Sequence, residues 1–205
     1  MTQISVIVAT YNWPAALELC LQSLKNQSFR DFEILIADDG SKEETRNLIQ
    51  KYIQEFPIKI KHLWHEDIGC RKTIIGNRAI NSANGQYLIF LDGDCVVQPD
   101  YLQRHLSLAQ KGYLVTGSRI LLNQKFTQEI LTEGYIDFSR LQKNSFFLRI
   151  QGSINKFLPL FIKFGNGKWR NYKKFFWRRI KGCNMACWKE DALAIKGFDE
   201  TLIGW

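Results

Sequence analysis

Residues 4–9, Ile-Ser-Val-Ile-Val-Ala, form a short apolar, β-branched run, the pattern of a strand buried on both faces. Asn12 then offers an N-cap and Pro14 suits a first helical turn. Leu17, Leu21 and Leu24 keep the 3.6-residue period, so 14–27 reads as a helix. Phe32 to Ala37 is a second strand, stopped by Asp38-Asp39-Gly40-Ser41. Ser41 followed by Glu44 reads as a capping box for a helix that runs to about Phe56. Ile58 to Trp64 alternates as a third strand, and a helix from about Lys72 to Ala83 closes on Asn84-Gly85. Tyr87 to Leu91 is the most strongly apolar strand and runs directly into Asp92-Gly93-Asp94. Pro99 and Asp100 start another helix, and Tyr113 to Ile120 reads as one more strand.

Strand and helix thus alternate four times with short connections. Parallel neighbours need helical crossovers, so the pattern predicts an α/β fold: a mainly parallel sheet with helices on both faces. In such sheets ligands bind beyond the carboxyl ends of the strands. Three predicted ends carry the most polar clusters of the chain: Thr10-Tyr11-Asn12, Asp38-Asp39-Gly40-Ser41 and Asp92-Gly93-Asp94. Their convergence on one rim is the main functional signal.

Composition narrows the class. The 205 residues are 45% hydrophobic and 23% charged, enough to bury a core. No run of 18 apolar residues predicts a membrane-spanning helix, and the first residues lack a basic n-region. Five scattered cysteines (Cys20, Cys70, Cys95, Cys183, Cys187) suit a reduced cytoplasmic protein better than a disulfide framework. Cys183 and Cys187 have no second pair, and His105 lies far along the sequence from His62 and His65, so zinc is not expected.

Charge splits the chain. The net charge is +8, yet Phe138 to Lys189 holds 13 Lys or Arg and no Asp or Glu, leaving 15 basic and 20 acidic residues elsewhere. Aromatic and aliphatic residues interleave with these cations, from Phe146 and Phe147 through Phe164 to Trp169 and Trp177. Three readings stay open: an anionic membrane surface, a helical excursion packed on the domain with its cations snorkelling outward, and an aromatic platform for single-stranded nucleic acid. The division expected is 1–125 as a nucleotide-binding α/β half and 126–205 as an acceptor-side half, with a basic aromatic-rich segment at 138–181.

The chemistry lies in the strand-end clusters. There is neither a G-x-G-x-x-G after the first strand nor a G-x-x-x-x-G-K-[ST], so dehydrogenase and P-loop readings fall away. A diphosphate bound here needs a cation instead. Asp92 and Asp94, one residue apart past a buried strand, suit a hard divalent ion with positions left for phosphate oxygens; the alternative is a plain turn. One of Asp38 and Asp39 suits the following helix N-terminus, and the other a base or ribose. Arg71, before a helix rather than on its outer face, suits phosphate contact.

Ser5-Val6-Ile7-Val8-Ala9-Thr10-Tyr11-Asn12, Asp38-Asp39-Gly40-Ser41, Asn77-Arg78-Ala79 with Ala83-Asn84-Gly85, and Phe90-Leu91-Asp92-Gly93-Asp94 together resemble a family 2 glycosyltransferase of the GT-A fold. Gly182 to Asp191, then Gly197-Phe198-Asp199-Glu200 and Gly204-Trp205, are similar to the galactosyltransferase-type module of chondroitin-polymerase-like members. The resemblance covers about 1–120 and 180–205. It implies an inverting, metal-dependent transfer of a sugar from a UDP-sugar to a saccharide or lipid-linked saccharide, in surface polysaccharide or lipopolysaccharide synthesis. By the same resemblance Thr10, Tyr11, Asn12, Asp39, Arg71, Asp92, Gly182, Cys183 and Asn184 bind the donor. Asp94, with Asp92, holds Mn²⁺ or Mg²⁺, and Trp205 flanks the acceptor. The family's acidic pair with the catalytic base follows the Gly-Trp element, so the base is expected beyond Trp205. The location implied is cytoplasmic, peripheral on the cytoplasmic face of the inner membrane, with no nucleic-acid partner. The alternative of another class is a nucleic-acid- or membrane-binding module on a non-catalytic α/β scaffold.

Overall fold

The computed structural model describes residues 3–165, 167 and 180–202. Four strands, β1 (Ile4–Thr10), β2 (Phe32–Asp38), β3 (Ile60–Trp64) and β4 (Tyr87–Asp92), are parallel. Helices α1 (Pro14–Lys25), α2 (Glu43–Glu55) and α3 (Lys72–Ser82) connect them. After α4 (Tyr101–Ser107) come β5 (Val115–Thr116), α5 (Gln124–Glu133), α6 (Phe138–Ile150), a 3₁₀ turn at Leu158–Leu160, β6 (Asn184–Trp188) and α7 (Lys189–Ala194). The sheet order is β3-β2-β1-β4-β6-β5, with β6 antiparallel to both neighbours. This is the mainly parallel α/β architecture the alternation predicts, and β6 draws the chain beyond residue 180 into the same sheet.

The period of two along each strand sorts the core into two layers. Val6, Val8, Ile34, Ile36, Ile89 and Leu91 pack on one face against Leu17, Leu21 and Leu24 of α1 and Ile49 of α2. Ile7, Leu35, Leu88 and Phe90 face the other way onto Ile75, Ala79 and Ile80 of α3. Burial on both faces is why these runs are nearly continuous in apolar residues.

Several local expectations are corrected. The strand read over Tyr113 to Ile120 shortens to Val115–Thr116. At Gly117 the chain passes so close to Asn184 that an added Cβ would lie 2.3 Å from its Nδ2. Asn12 does not cap α1, whose N-cap is Trp13, and Ser41 does not form a capping box, because the N-cap of α2 is Lys42. The two side chains staple the loops to each other instead: Asn12 N donates to Ser41 Oγ (2.9 Å) and Lys42 N to Asn12 Oδ1 (2.8 Å). Asn84-Gly85 is not a left-handed cap either. Gly85 is required because a Cβ there would meet Ser5 N at 2.5 Å and Ile4 C at 2.6 Å.

Candidate functional site

Sheet order and register bring the three polar clusters together. β1 has a parallel neighbour on each side, β2 and β4, so the strand order reverses here and a crevice opens beyond its carboxyl end. Thr10 lies level with Asp38, and Ala9 with Asp92. Short backbone bonds lock the rim, Asp39 N to Thr10 O at 3.0 Å and Gly93 N to Ala9 O at 2.7 Å. Gly93 permits that approach, since a Cβ would sit 3.1 Å from Ala9 O.

On the β2 side both carboxylates are buried and engaged. Asp38 accepts from Ser41 N (2.8 Å) and contacts His62 Nε2 (2.9 Å). Asp39 contacts His65 Nε2 (2.7 Å), and Arg71 N donates to both its oxygens at 3.1 and 3.0 Å. A carboxylate has about four lone-pair sites, so Asp39 retains acceptor capacity. The Asp39 contacts hold the 65–71 loop over the crevice, and Tyr11 adds a third tie by donating to Asp67 Oδ2 at 2.8 Å. That bond from Tyr11, then one from Gly69 N, holds the Asp67 carboxyl below its ordinary value. The Tyr11 ring itself stays half exposed, a flat face at the rim. Arg71 is the N-cap of α3, its guanidinium turned onto Cys70 O at 3.0 Å.

On the β4 side Asp92 is half-buried and Asp94 exposed. Lys72 Nζ reaches Asp92 Oδ1 at 2.5 Å. Asp92 and Asp94 together raise the buried Cys20 thiol further, after the dominant effect of its burial. Among the described residues no group of three or more His, Cys, Asp or Glu forms a cation cage. The donor set of Asp92 and Asp94 nonetheless fits a hard divalent ion completed by ligand oxygens, because Mg²⁺-type sites use one or two carboxylates plus substrate phosphates.

β6 closes this side. Asn184 pairs with Leu91, so Gly182, Cys183 and Asn184 lie beside the end of β4. Nothing lies within 4 Å of a Cβ built on Gly182, which leaves that position open. Cys183 is buried next to Cys95, with Arg119 Nη1 3.6 Å from its Sγ. The hydrogen bond from Cys95, opposed by burial and helped by Arg119, brings the Cys183 thiol below its ordinary value. The same contact and burial push Cys95 up. The Asn184 amide is held by His105 Nε2 (2.9 Å), Tyr101 Oη (3.4 Å) and Ser118 O (2.7 Å). Trp205 lies outside the described residues.

Four participants escaped the sequence reading: His62, His65, Asp67 and Lys72. The parallel pairing of β2 with β3 is the signal that would have placed His62 beside Asp38. Lys72 opens α3, four residues before the buried Gly76, and only the tertiary fold aims its amine at Asp92. The structure also joins motifs far apart in sequence. Asn77 Nδ2 donates to Phe198 O at 2.9 Å and Phe198 N to Asn77 Oδ1 at 2.8 Å, fastening the Gly197-Phe198-Asp199-Glu200 element to α3.

The family model described as glycosyl transferase family 2 matches residues 5–176. A Campylobacter jejuni protein named GalNAc(5)-diNAcBac-PP-undecaprenol beta-1,3-glucosyltransferase is 27% identical over 150 residues, 72% of this chain and 48% of its own length. Escherichia coli chondroitin synthase is 30% identical over 106 residues, 51% of this chain and 15% of its own. Among solved structures, S. aureus TarS in complex with UDP-GlcNAc is similar over 52% of this chain and 30% of its own, at 30% identity and a TM-score of 0.45. The chain spans at most about half the length of the curated relatives it matches.

Proposed function

The chain belongs to glycosyl transferase family 2, and from that premise we propose that it transfers a sugar from a UDP-sugar to a saccharide or lipid-linked saccharide acceptor, with inversion. The observation that carries this reading is the single rim shared by the ends of β1, β2 and β4 and the start of β6. It offers a buried carboxylate on the β2 side, a flat aromatic face where β1 ends and two outer carboxylates on the β4 side.

In this reading the exposed ring of Tyr11 lies against the base, and Asp39 uses its remaining acceptor capacity for the uracil or ribose. Thr10 and Asn12 shape the pocket floor, which the Asn12–Ser41 staple keeps from spreading. Arg71 approaches the diphosphate by leaving its Cys70 carbonyl, a short swing for a half-buried side chain. Asp94 and Asp92 would hold Mn²⁺ or Mg²⁺, which when bound neutralises charge on the leaving diphosphate. Lys72 guards Asp92 before the donor arrives and stays near enough afterwards to meet a phosphate oxygen. Gly182 and Cys183 present open backbone under the donor sugar, positioned by the pinned amide of Asn184. The C. jejuni relative is named for a polyprenyl-linked acceptor, which supports a lipid-linked saccharide here.

The test is a panel of UDP-sugars assayed for release of UDP with Mn²⁺ present. The reading expects metal-dependent release from at least one UDP-hexose or UDP-N-acetylhexosamine. A chain that binds oligonucleotide and ignores every nucleotide sugar is a binding module, and the reading fails.

A further inference from the structure

We infer that the end of α6 and the segment that folds back on it form a docking surface for an anionic phospholipid membrane. This goes beyond the donor site and does not depend on which sugar is transferred. Of the thirteen residues of α6, only Ser145 is buried, so this helix contributes almost nothing to the core. Phe146, Phe147 and Ile150 share one side of it by their spacing, and each is more than 60% exposed. Leu158, Phe161 and Ile162, on the following segment, are 45–55% exposed. Soluble proteins scatter exposed apolar side chains singly; a concentration of six marks an interaction site.

The platform is built rather than loose. The Phe157 ring contacts Phe146 at 6.1 Å and Phe161 at 6.4 Å between centroids, both edge-on. Gln142 Nε2 donates to Leu160 O at 2.9 Å, tying the 3₁₀ turn to α6. Ile154 and Leu160 are buried beneath it. The outward apolar side chains therefore stand on a fixed base.

Charge selects the occupant. Arg140, Lys143, Arg149, Lys156 and Lys163 lie in the same region, which has no carboxylate from Phe138 to Lys189. Lys163 pairs with Asp100 and Arg140 with Glu133, both from outside that stretch. A second copy of this chain would bring the same positive charge against itself. Nucleic acid supplies the anions but nothing apolar to receive Ile150, Leu158 and Ile162. An anionic bilayer supplies both, apolar depth for the side chains and phosphates for the cations. At thirteen residues, or roughly 20 Å, α6 is too short to cross a hydrocarbon core of about 30 Å, so it lies along the interface. Among the described residues no helix is long and apolar enough to span.

The experiment is flotation of the 205-residue chain with phosphatidylcholine vesicles, with and without phosphatidylglycerol, at low and high salt. The proposal expects flotation with the anionic vesicles, weakened by salt. Lys143→Ala and Arg149→Ala should each cost about fivefold in partitioning, and Phe146→Ser/Phe147→Ser/Ile150→Ser at least about tenfold, with unchanged circular dichroism and Tm. Equal partitioning to neutral vesicles, tighter binding to single-stranded oligonucleotide, or self-association abolished by the serine variant would each overturn it. So would failure of the chain to float at all. Sugar release is measured in parallel without vesicles, so loss of docking is read separately from loss of activity.

Discussion

Lowering the pH from 7 to 5 should destabilise the protein through one side chain, His105. Its ring is buried, its Nε2 is committed to Asn184 Oδ1 at 2.9 Å, and its edge packs on Tyr101 at 4.6 Å between centroids. Nδ1 has no partner among the described residues, so the second proton would create a buried, unpaired donor. Burial, only partly offset by the Asn184 bond, brings the imidazole down from 6.5 to about 4. The sign follows from linkage: the unfolded chain takes up the proton near 6.5 and the folded chain only near 4, so stability is intact above 6.5 and lost as pH falls through that window. Between pH 7 and pH 5 the loss is about 2 kcal/mol, rising to about 3 kcal/mol below both values. Urea denaturation at half-unit pH steps measures it. His105→Gln keeps an amide donor for Asn184 without the titration, and the difference between the two curves isolates His105. Parallel curves for the two proteins from pH 7 to 5 would refute the argument. Because the folded ring takes its proton only near 4, donor affinity should hold from pH 7 to 5 in the native protein and in His105→Gln alike.

Other perturbations follow from the same contacts. Gly85→Ala drives a Cβ into the Ile4–Ser5 backbone at 2.5–2.6 Å, and should cost about 1–3 kcal/mol in urea denaturation because backbone cannot step aside. Glu33→Gln can keep its oxygen on the donors Ser5 Oγ, Asn84 N and Gly85 N only by turning its NH2 onto another donor, Asn84 Nδ2, for a loss of about 1–3 kcal/mol. Burial pushes the Glu33 carboxyl up, but bonds from Ser5, Asn84 and Gly85 overcome it and leave it low. The native advantage over Glu33→Gln is therefore present above the carboxylate range and shrinks as pH falls through it. Cys95→Ala removes the hydrogen bond that holds the Cys183 thiol below its ordinary value, so thiolate absorbance at 240 nm should titrate at higher pH than in the native protein.

The central strands were legible because a parallel strand buried on both faces must be written as a β-branched run, and β1, β2 and β4 are. Clusters at the ends of such strands must converge once the strands are parallel, which is why the meeting of Thr10, Asp39 and Asp92 on one rim was legible in the sequence. What was not legible depended on contacts between distant segments. β6, Asn-Met-Ala-Cys-Trp, shows no alternation of its own and exists through its antiparallel pairing with β4. Asn12 and Ser41 carry the composition of helix caps, yet each loop found a better partner in the other. The Lys72–Asp92 pair spans 20 residues, with no periodic pattern to announce it. His62 and His65 were weighed as metal ligands, and the carboxylates beside them became visible only when β3 was laid on β2.

Asp94 is proposed to complete a metal-dependent site for a UDP-sugar on the rim of β1, β2 and β4. Isothermal calorimetry of UDP binding, with and without Mn²⁺, on the native chain and on Asp94→Asn tests it most directly. Asp94 is exposed and its substitution leaves the core untouched, so the fold should survive with an unchanged Tm. The account predicts that Mn²⁺ strengthens UDP binding to the native chain by at least about tenfold, the scale of one lost carboxylate–metal contact, and does nothing for Asp94→Asn. Equal enhancement by Mn²⁺ in both proteins, or UDP binding to neither, would contradict it.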